Sequence, residues 1–238
     1  MNVIQPLKTL IVKPISKHTA TVIFVHGLGD SGHGWQPVAE ILQRDPALSH
    51  IKWVLPHANQ QPVTANGGMK MPSWFDIYSF DFDSDEDEAG MLKTSASINA
   101  LISEEVNGDI DANRVILGGF SQGGAMSLLS GLTSERKLGG VAVLSGWLPL
   151  KNKFKAMAVS HAAQTPLFWG HGTSDPLVKF KLGTDSVEFL KSQLGFKQSD
   201  NSAAGLDFHS YAGMAHSSCQ EELNDLSAWL KRVAPALA

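Results

Sequence analysis

Hydrophobic residues along the chain occur in short runs that alternate with longer segments of helical period. The runs are rich in β-branched side chains and show little polar alternation, which is typical of strands buried on both faces of a mostly parallel sheet. They are Thr21–Val25, Ile51–Leu55, Arg114–Gly118, Gly140–Leu144 and Pro166–Trp169. Two further runs, Leu7–Val12 and Leu206–Tyr211, predict strands towards the two ends of the chain.

Segments with apolar residues three and four positions apart lie between these runs and predict helices. They are Trp35–Arg44, Ala89–Val106, Gly123–Leu132, Asp185–Leu194 and Glu221–Val233. A strand followed by a helix, repeated along a chain, is the pattern of an open α/β sheet with helices on both faces. The 238 residues fit one such unit, so we expect a single α/β domain over residues 1–238, with a mostly parallel central sheet and no separate lid domain.

The stretch from His57 to Glu88 breaks this pattern. It is rich in Pro, Gly and Asp, and long connections without regular structure in a compact domain usually have a function. Its acidic end, Asp81–Glu88, is compatible with a cation site or with carboxylates that favour the N-terminus of the helix predicted from Ala89. The second interpretation needs no ligand, and we expect neither a metal ion nor a cofactor.

Composition and charge narrow the classes of function. The formal net charge is −4, which lacks the basic excess that neutralises a phosphate backbone, so we expect no nucleic-acid partner. No apolar segment reaches the length that crosses a bilayer, and neither a leader peptide nor a lipidation motif is recognisable, which predicts a soluble, unexported protein. The one cysteine, Cys219, cannot form an internal disulfide and agrees with a reducing compartment.

A G-x-S-x-G motif, Gly119-Phe-Ser-Gln-Gly123, lies between a predicted strand and a predicted helix. This is the context of a nucleophile elbow, in which a serine occupies a strained turn and its neighbours must be small. Gly119, Gly123 and Gly124 fit that requirement. A chance Gly-Ser turn is the alternative, but the placement favours the elbow, and we predict that Ser121 is the nucleophile of a serine hydrolase.

A serine hydroxyl becomes a good nucleophile when a base takes its proton, and in this type of fold the order along the chain is Ser, Asp, His. Of the histidines after Ser121, His171 and His209 lie at or within predicted strands, and His161 lies in a polar stretch. His216 lies in the loop before the last helix, from which an imidazole can reach the elbow. We predict His216 as the base, and His209 is the residue to substitute if His216 is not.

The carboxylate that orients the base should follow a strand located between Ser121 and His216. Asp175 lies in such a loop, Gly170-His-Gly-Thr-Ser-Asp-Pro-Leu-Val178, and we predict it as the third member of the triad. An aspartate before a proline is also a common turn residue. The other downstream aspartates lie at a predicted helix start, where carboxylates are ordinary caps, or near polar or strand segments; they are Asp185, Asp200 and Asp207.

Ester-type hydrolysis also needs donors for the oxyanion of the tetrahedral intermediate. One is the backbone N–H after the nucleophile, that of Gln122, and the second is expected from an early strand-to-helix loop. His26-Gly-Leu-Gly-Asp30 is such a loop; its glycines permit close approach, so we predict the N–H of Leu28 as the second donor. The same loop has neither the G-x-G-x-x-G spacing nor the lysine of a P-loop, which argues against a nucleotide site.

Six segments together resemble the acyl-protein thioesterases, also called lysophospholipase or carboxylesterase type 2. They extend across almost the whole chain and are far more specific than the elbow motif alone. The segments are His26-Gly-Leu-Gly-Asp30, Pro72-Ser-Trp-Phe-Asp76, Gly118-Gly-Phe-Ser-Gln-Gly-Gly124, Leu144-Ser-Gly-Trp-Leu-Pro149, His171-Gly-Thr-Ser-Asp-Pro-Leu-Val178 and Met214-Ala-His-Ser-Ser-Cys-Gln220.

The resemblance implies an α/β-hydrolase fold, catalytic Ser121, Asp175 and His216, no cofactor, and hydrolysis of thioesters on S-palmitoylated proteins. Lysophospholipids and simple esters are implied as further substrates, as are a cytoplasmic location with some nuclear presence, a monomer or weak homodimer, and transient contact with membrane surfaces. Family members that cycle on and off membranes carry a cysteine near the start. This chain has none there, which argues against self-palmitoylation at the N-terminus.

Apolar residues on the loops that follow the strands predict where an acyl chain binds, because such loops form the binding crevice of an open α/β sheet. Trp74, Trp147, Leu177 and Met71 are our predicted wall of an acyl channel. Packing is the competing explanation, since the six Trp residues of one chain are mostly core and Met commonly fills gaps.

Two other functions compete with a long-chain thioesterase. A short-chain carboxylesterase would use the same chemistry in a smaller pocket and would prefer acetyl or butyryl esters. A binding module that has lost catalysis would keep the fold alone, but the complete set of Ser121, Asp175 and His216 argues against it. Labelling by a fluorophosphonate separates an active from an inactive hydrolase fold.

Overall fold

A computed structural model describes residues 6–81, 85–199 and 203–237. Asp200 and part of the acidic stretch before the helix at Glu88, residues 82–84, lie outside the described residues. The nine strands are β1 (Thr9–Val12), β2 (Ala20–Val25), β3 (Ile51–Pro56), β4 (Gln60–Val63), β5 (Met69–Pro72), β6 (Val115–Phe120), β7 (Gly140–Leu144), β8 (Leu167–Gly172) and β9 (Leu206–Tyr211) among the described ranges. The α-helices there are α1 (Gly32–Gln43), α2 (Glu88–Asn107), α3 (Gln122–Thr133), α4 (Lys151–Met157), α5 (Phe180–Leu194) and α6 (Gln220–Val233).

Seven of the strands form one sheet in the order β1-β3-β2-β6-β7-β8-β9. Only the pairing of β1 with β3 is antiparallel in this sheet. The predicted fold class, a mostly parallel α/β sheet, is therefore confirmed. Because β2, β6, β7, β8 and β9 run in the same direction, the loops that follow them meet at one edge of the sheet, where ligands bind in open α/β folds.

Helices cover both faces of the sheet, and successive residues of a strand point to opposite faces. In β2, Ile23 joins the apolar cluster on the face of α2, α3 and α5, and Phe24 joins the cluster on the face of α1 and α6. Trp169 and Phe168 of β8 divide in the same way. Burial on both faces explains why the strands appear in the sequence as continuous apolar runs.

The structure differs from the sequence-based expectation in several places: α4 was not predicted, and α5 begins at Phe180 and not at Asp185. β8 continues to Gly172, so that His171 lies within the strand and not after it. The stretch from His57 to Glu88 was expected to lack regular structure, but it contains the antiparallel hairpin β4–β5. Its strands have only four residues each and include prolines, which weaken a strand signal in the sequence.

One of the acidic residues before α2 caps the helix. Asp87 is the N-cap, and its carboxylate accepts a hydrogen bond of 2.9 Å from the N–H of Gly90. It also accepts one of 2.9 Å from the N–H of Asp76, which ties this turn to the segment after β5. The described residues contain no group of three or more His, Cys, Asp or Glu side chains arranged to hold a metal ion. None of the described helices is both long and apolar enough to span a bilayer.

Glu222 is a buried carboxyl in the first turn of α6. Its side chain is fully enclosed, and neither of its oxygens has a hydrogen-bond partner among the described residues. It occupies the space beside Gly170 of β8, where an added Cβ would lie 2.3 Å from Glu222 Oε1. Burial, followed by the nearby charge of Asp225, raises the pKa of Glu222 to about 8.

Glu222→Gln is expected to increase stability at neutral pH and to flatten its dependence on pH. The carboxyl of the folded protein stays protonated up to a pH of about 8, whereas the unfolded chain ionises near its ordinary pKa of 4.5. The contribution of Glu222 to stability is therefore full below the unfolded pKa and is lost as the pH rises through the folded one. A pKa change of this size corresponds to roughly 3–5 kcal/mol of unfolding free energy.

Thermal unfolding of the wild type and the variant at a series of pH values checks this expectation. The stability of the variant relative to the wild type should increase as the pH rises from about 5 to about 8. Glu221→Gln is the matched control, because Glu221 is the exposed neighbour in the same turn. A constant difference between Glu222→Gln and the wild type across this range would contradict the account.

Candidate active site

Ser121 occupies a sharp turn between β6 and α3. Its backbone has φ 54° and ψ −121°. Ser121 is therefore one of the few non-glycine residues of the described chain at positive φ. Such a conformation costs about 1–3 kcal/mol and persists only where the surroundings impose it. Here the N–H of Ser121 donates to the carbonyl of Leu144 at 2.8 Å, and its carbonyl accepts from the N–H of Ala125 at 3.0 Å. The turn is thus joined to β7 on one side and to α3 on the other.

The turn can form only because its flanking residues have no side chains. A Cβ added at Gly119 would lie 2.4 Å from the backbone carbonyl of Gly123. One added at Gly123 would lie 2.0 Å from the carbonyl oxygen of Val25 in β2. Gly124 is less constrained, with an added Cβ 3.0 Å from the carbonyl oxygen of Gly119. The glycines therefore let α3 start directly against the backbone of the neighbouring strand.

The structure brings the three predicted triad residues into one hydrogen-bonded chain. His216 lies in the loop between β9 and α6, and its Nε2 is 2.9 Å from Ser121 Oγ. Its Nδ1 is 2.7 Å from Asp175 Oδ2. The ring of Phe120 packs against the imidazole with 4.8 Å between centroids. These contacts hold the imidazole between the hydroxyl and the carboxylate.

Asp175 is fixed before it meets the histidine. Its Oδ1 accepts hydrogen bonds of 2.9 Å from the N–H groups of Leu177 and Val178. The other oxygen is left to accept from Nδ1–H of His216, which assigns the proton to Nδ1 and leaves the Nε2 lone pair free to take the proton of Ser121. This is the arrangement that general-base activation of a serine requires.

Two of the other downstream histidines, His171 and His209, have structural partners. His171 is buried, donates from Nε2 to the carbonyl of Val178 at 2.8 Å, and its Nδ1 accepts from Trp169 Nε1 at 3.4 Å. Burial lowers the pKa of His171, which favours the neutral ring. This ring supports the Asp175 loop through its hydrogen bond to Val178. His209 lies within β9, where its ring nitrogens face Asp207 and Asp225.

The two predicted oxyanion donors lie on either side of Ser121. Gln122 is the first residue of α3, and Leu28 lies in the loop after β2. An added Cβ at Gly27 would lie 3.4 Å from Ser121 Cβ, which shows how closely this loop approaches the nucleophile. Within the described ranges neither the N–H of Leu28 nor that of Gln122 donates a hydrogen bond. Both amides are therefore available to an oxyanion, and they stay our predicted donors.

Trp74, the fourth residue predicted for the acyl channel, does not line the cavity beside Ser121 and His216. The side chain is 3% exposed, and its Nε1 donates to the carbonyl of His26 at 2.8 Å. The indole also packs against the imidazole of His26, with 4.9 Å between ring centroids. Trp74 thus supports the loop that carries Leu28 from behind. Only the tertiary arrangement determines on which side of this loop the indole lies.

A polar network that the sequence did not predict ties the elbow to the segment after β5. The buried side chain of Gln122 donates from Nε2 to the carbonyl of Phe75 at 2.8 Å and accepts at Oε1 from the N–H of Trp74 at 3.0 Å. Its Nε2 also donates to Ser73 Oγ at 3.0 Å. The only sequence signal was the presence of both segments in the family resemblance. The side chain of Gln122 therefore has a structural role, in addition to the oxyanion role that we predict for its backbone N–H.

His26 completes this network. Its Nδ1 is 2.7 Å from the carbonyl of Gly27, and its Nε2 accepts from the N–H of Ala58 at 3.1 Å. These partners require a neutral ring, and burial lowers the pKa of His26 in agreement with them. The loop after β2 is thus braced from its own strand end and from the chain beyond β3.

A cavity of about 400 Å³ opens beside Ser121 and His216. Its wall is mostly apolar and includes three of the four predicted channel residues, Trp147, Leu177 and Met71. Leu177 is 50% exposed at the mouth, whereas Trp147 is 6% exposed in the interior. Sequence reasoning missed other apolar members of the wall, which are Ile77, Phe80, Phe120 and Val178. The nucleophile therefore faces a space suited to an apolar substituent.

Comparison with known proteins agrees with this geometry. Residues 7–234 match the sequence profile of the family described as phospholipase/carboxylesterase. An acyl-protein thioesterase 1 of Cryptococcus neoformans is 52% identical over 231 residues, covering 94% of this chain and 96% of that protein. One of Mycosarcoma maydis is 47% identical over 241 residues, covering 97% and 98%. The crystal structure of Zea mays acyl-protein thioesterase 2 has a TM-score of 0.82 at 31% identity and covers 95% of this chain and 99% of that one.

Asp175→Asn is expected to lower kcat severely while leaving the fold intact. The asparagine side chain can take two orientations. In one its NH₂ group faces Nδ1–H of His216, and in the other it faces the N–H groups of Leu177 and Val178, so a donor faces a donor in either case. The imidazole then loses the tautomer that activates Ser121, and a drop of about 10⁴-fold is the usual result of this change in a serine triad.

Steady-state kinetics on a butyryl ester, with circular dichroism as a check of folding, measures the effect. Asp185→Asn serves as the control, because Asp185 is exposed on α5 and pairs with Lys181. A folded Asp175→Asn protein that keeps more than about a tenth of the wild-type kcat would mean that Asp175 does not orient the base.

Proposed function

This chain belongs to the phospholipase/carboxylesterase family of α/β-hydrolases, and from this premise we propose that it hydrolyses the thioester that joins a long acyl chain to a protein cysteine. The observation that carries the proposal is the hydrogen-bonded chain of Ser121, His216 and Asp175 at the mouth of a largely apolar cavity. The relatives named acyl-protein thioesterase 1, which are 42–52% identical to this chain, support the same substrate class.

Acylation begins when His216 Nε2 takes the proton of Ser121 Oγ as the oxygen attacks the carbonyl carbon of the thioester. The negative charge that develops on the carbonyl oxygen is placed between the N–H groups of Leu28 and Gln122. Collapse of the tetrahedral intermediate breaks the C–S bond, and His216 returns the proton to the departing sulfur. The products of this half-reaction are the free cysteine thiol and an acyl ester on Ser121.

Deacylation repeats the same steps with water as the nucleophile. His216 takes a proton from the water, whose oxygen attacks the acyl carbon on Ser121. The second tetrahedral intermediate collapses with transfer of the proton to Ser121 Oγ, which releases the fatty acid and restores the resting enzyme. Asp175 stays ionised throughout and stabilises the imidazolium that forms in each half-reaction.

The apolar cavity favours long acyl chains. Each methylene removed from water contributes about 0.8 kcal/mol of binding free energy. Longer acyl chains should therefore bind more tightly against a wall of Trp147, Leu177 and Met71. Simple esters and lysophospholipids present the same carbonyl and the same chain, and we propose them as further substrates. Leu177, which is exposed at the mouth, and the exposed Met69, two residues before Met71 in β5, support transient contact with a membrane surface. The cytoplasmic location with some nuclear presence, and the monomer or weak homodimer, stay predictions.

Leu177→Arg is expected to separate long-chain from short-chain turnover. The substitution places a charged, hydrated group at the mouth of the cavity but leaves the backbone N–H that donates to Asp175. The kcat/KM for a palmitoyl thioester should fall by about ten- to a hundredfold, equivalent to roughly 1.4–2.7 kcal/mol of lost apolar contact, while that for a butyryl ester changes little.

Rates on a palmitoyl-thioester peptide and on a butyryl ester, measured for both proteins, test this. Ile15→Arg is the control, since Ile15 is an exposed apolar residue that binds Ser49 just before β3, at the opposite end of the parallel strands from these loops. Equal losses on both substrates would indicate that Leu177 supports the Asp175 loop. No loss on either would favour a short-chain carboxylesterase in place of a long-chain thioesterase.

A further inference from the structure

A second cavity lies behind the wall of the first. It has a volume of about 340 Å³ and shares Trp147 and Ile77 with the catalytic cavity. The remaining apolar part of its lining is Phe75, Met91, Leu148 and Leu182. Polar residues, among them Glu86 and Lys151, lie around it as well. Trp147 therefore separates the two cavities. A ligand that occupied both of them would have more space than either cavity provides alone.

The orientation of Trp147 is set by a polar contact and by packing. Its indole N–H, the only donor of this side chain, lies near enough to the carboxyl group of Glu86 to lower the pKa of that carboxyl. The ring meets Phe75 edge-on, with 6.2 Å between centroids and 73° between planes. Aromatic pairs in this arrangement add about 0.5–1.5 kcal/mol to the apolar burial. Both contacts keep the indole in the position that divides the cavities.

The backbone of residues 145–150, which carries Trp147, is also constrained. Glu86 Oε2 accepts a hydrogen bond of 2.8 Å from the N–H of Leu150, and Ser186 Oγ accepts one of 2.9 Å from the N–H of Leu148. Ser145 and Leu150 have φ of 49° and 51°, in the left-handed region that is unfavourable for residues with a side chain. A strained segment keeps its conformation only while such anchors hold it.

Glu86 is the residue common to these restraints, because its carboxyl group accepts a hydrogen bond from the backbone N–H of Leu150 and lies beside the indole of Trp147. Partial desolvation raises the pKa of this carboxyl, and the N–H groups of Leu150 and Trp147 act in the opposite direction. Glu86 is itself exposed to solvent, but its carboxyl group binds the backbone of the segment that carries Trp147 and lines the second cavity.

We propose that Glu86 determines acyl-chain length specificity, by holding Trp147 as the partition that closes the catalytic cavity against the second one. Glu86 is a positioning residue, since it acts through Trp147 and does not touch the reacting atoms. The inference rests on the proposed function in that the occupant of the catalytic cavity is an acyl chain. When the partition is released, the distal methylenes of a long chain enter the second cavity.

Glu86→Ala tests the proposal with p-nitrophenyl esters from butyryl through octanoyl and dodecanoyl to palmitoyl. The kcat/KM for the butyryl ester should stay within about twofold of wild type, and that for the two longest esters should rise by about fivefold or more, mainly through a lower KM. Glu86→Gln keeps a carbonyl oxygen beside the indole and should lie between Glu86→Ala and the wild type. Glu88→Ala is the matched control, because Glu88 pairs with Lys153 and lines neither cavity.

Two results overturn the proposal. An unchanged chain-length profile in a folded Glu86→Ala protein means that Trp147 is held without Glu86, and a uniform fall across all esters means that Glu86 only supports the fold. If Glu86→Ala fails to fold, Ser186→Ala removes the anchor of Leu148, together with a bond within α5 to the carbonyl of Leu182, and should shift the profile in the same direction by about twofold. The ester series needs only a serine hydrolase, so hydrolysis of a palmitoyl-thioester peptide by the wild type reports separately on the proposed function.

Discussion

The left-handed turn at Ser121 is the feature on which the rest of the site depends. It exists because Gly119 and Gly123 allow α3 to start in contact with the backbone of β2. The turn raises the hydroxyl above the edge of the sheet at which six parallel strands end. Every other component is delivered to that edge by the loop after one of those strands. A side chain at either glycine would move α3 and, with it, both the nucleophile and the N–H of Gln122.

Each catalytic component is itself braced by a group that does no chemistry. Val178 and Leu177 fix Asp175 through their N–H groups, and the neutral ring of His171 holds the carbonyl of Val178. Gln122 joins the elbow to the segment that carries Trp74, whose indole supports His26. Positions defined in this way need little reorganisation when charge develops in the transition state. Rigid placement therefore accounts for much of what this arrangement can contribute to the rate.

The sequence predicted those features that depend on local pattern and on chain order. Buried strands appear as apolar runs, and the order Ser121, Asp175, His216 follows from which loop comes after which strand. It did not predict features that depend on the tertiary environment. Trp74 is apolar enough for a channel, and only packing shows that it lies behind the loop. In the sequence, Glu222 resembles an ordinary carboxylate in the first turn of a helix. The neighbouring residues do not indicate that its side chain is buried against the sheet.

The central claim is that Ser121 carries the acyl group during hydrolysis of an S-acylated protein. The most direct measurement is the release of thiol from a palmitoyl-thioester peptide by the wild type and by Ser121→Ala, with folding of both proteins verified by circular dichroism. The account predicts steady turnover by the wild type and a rate at least about a thousandfold lower for the variant. A folded Ser121→Ala protein that keeps more than about a few per cent of the wild-type rate would contradict it.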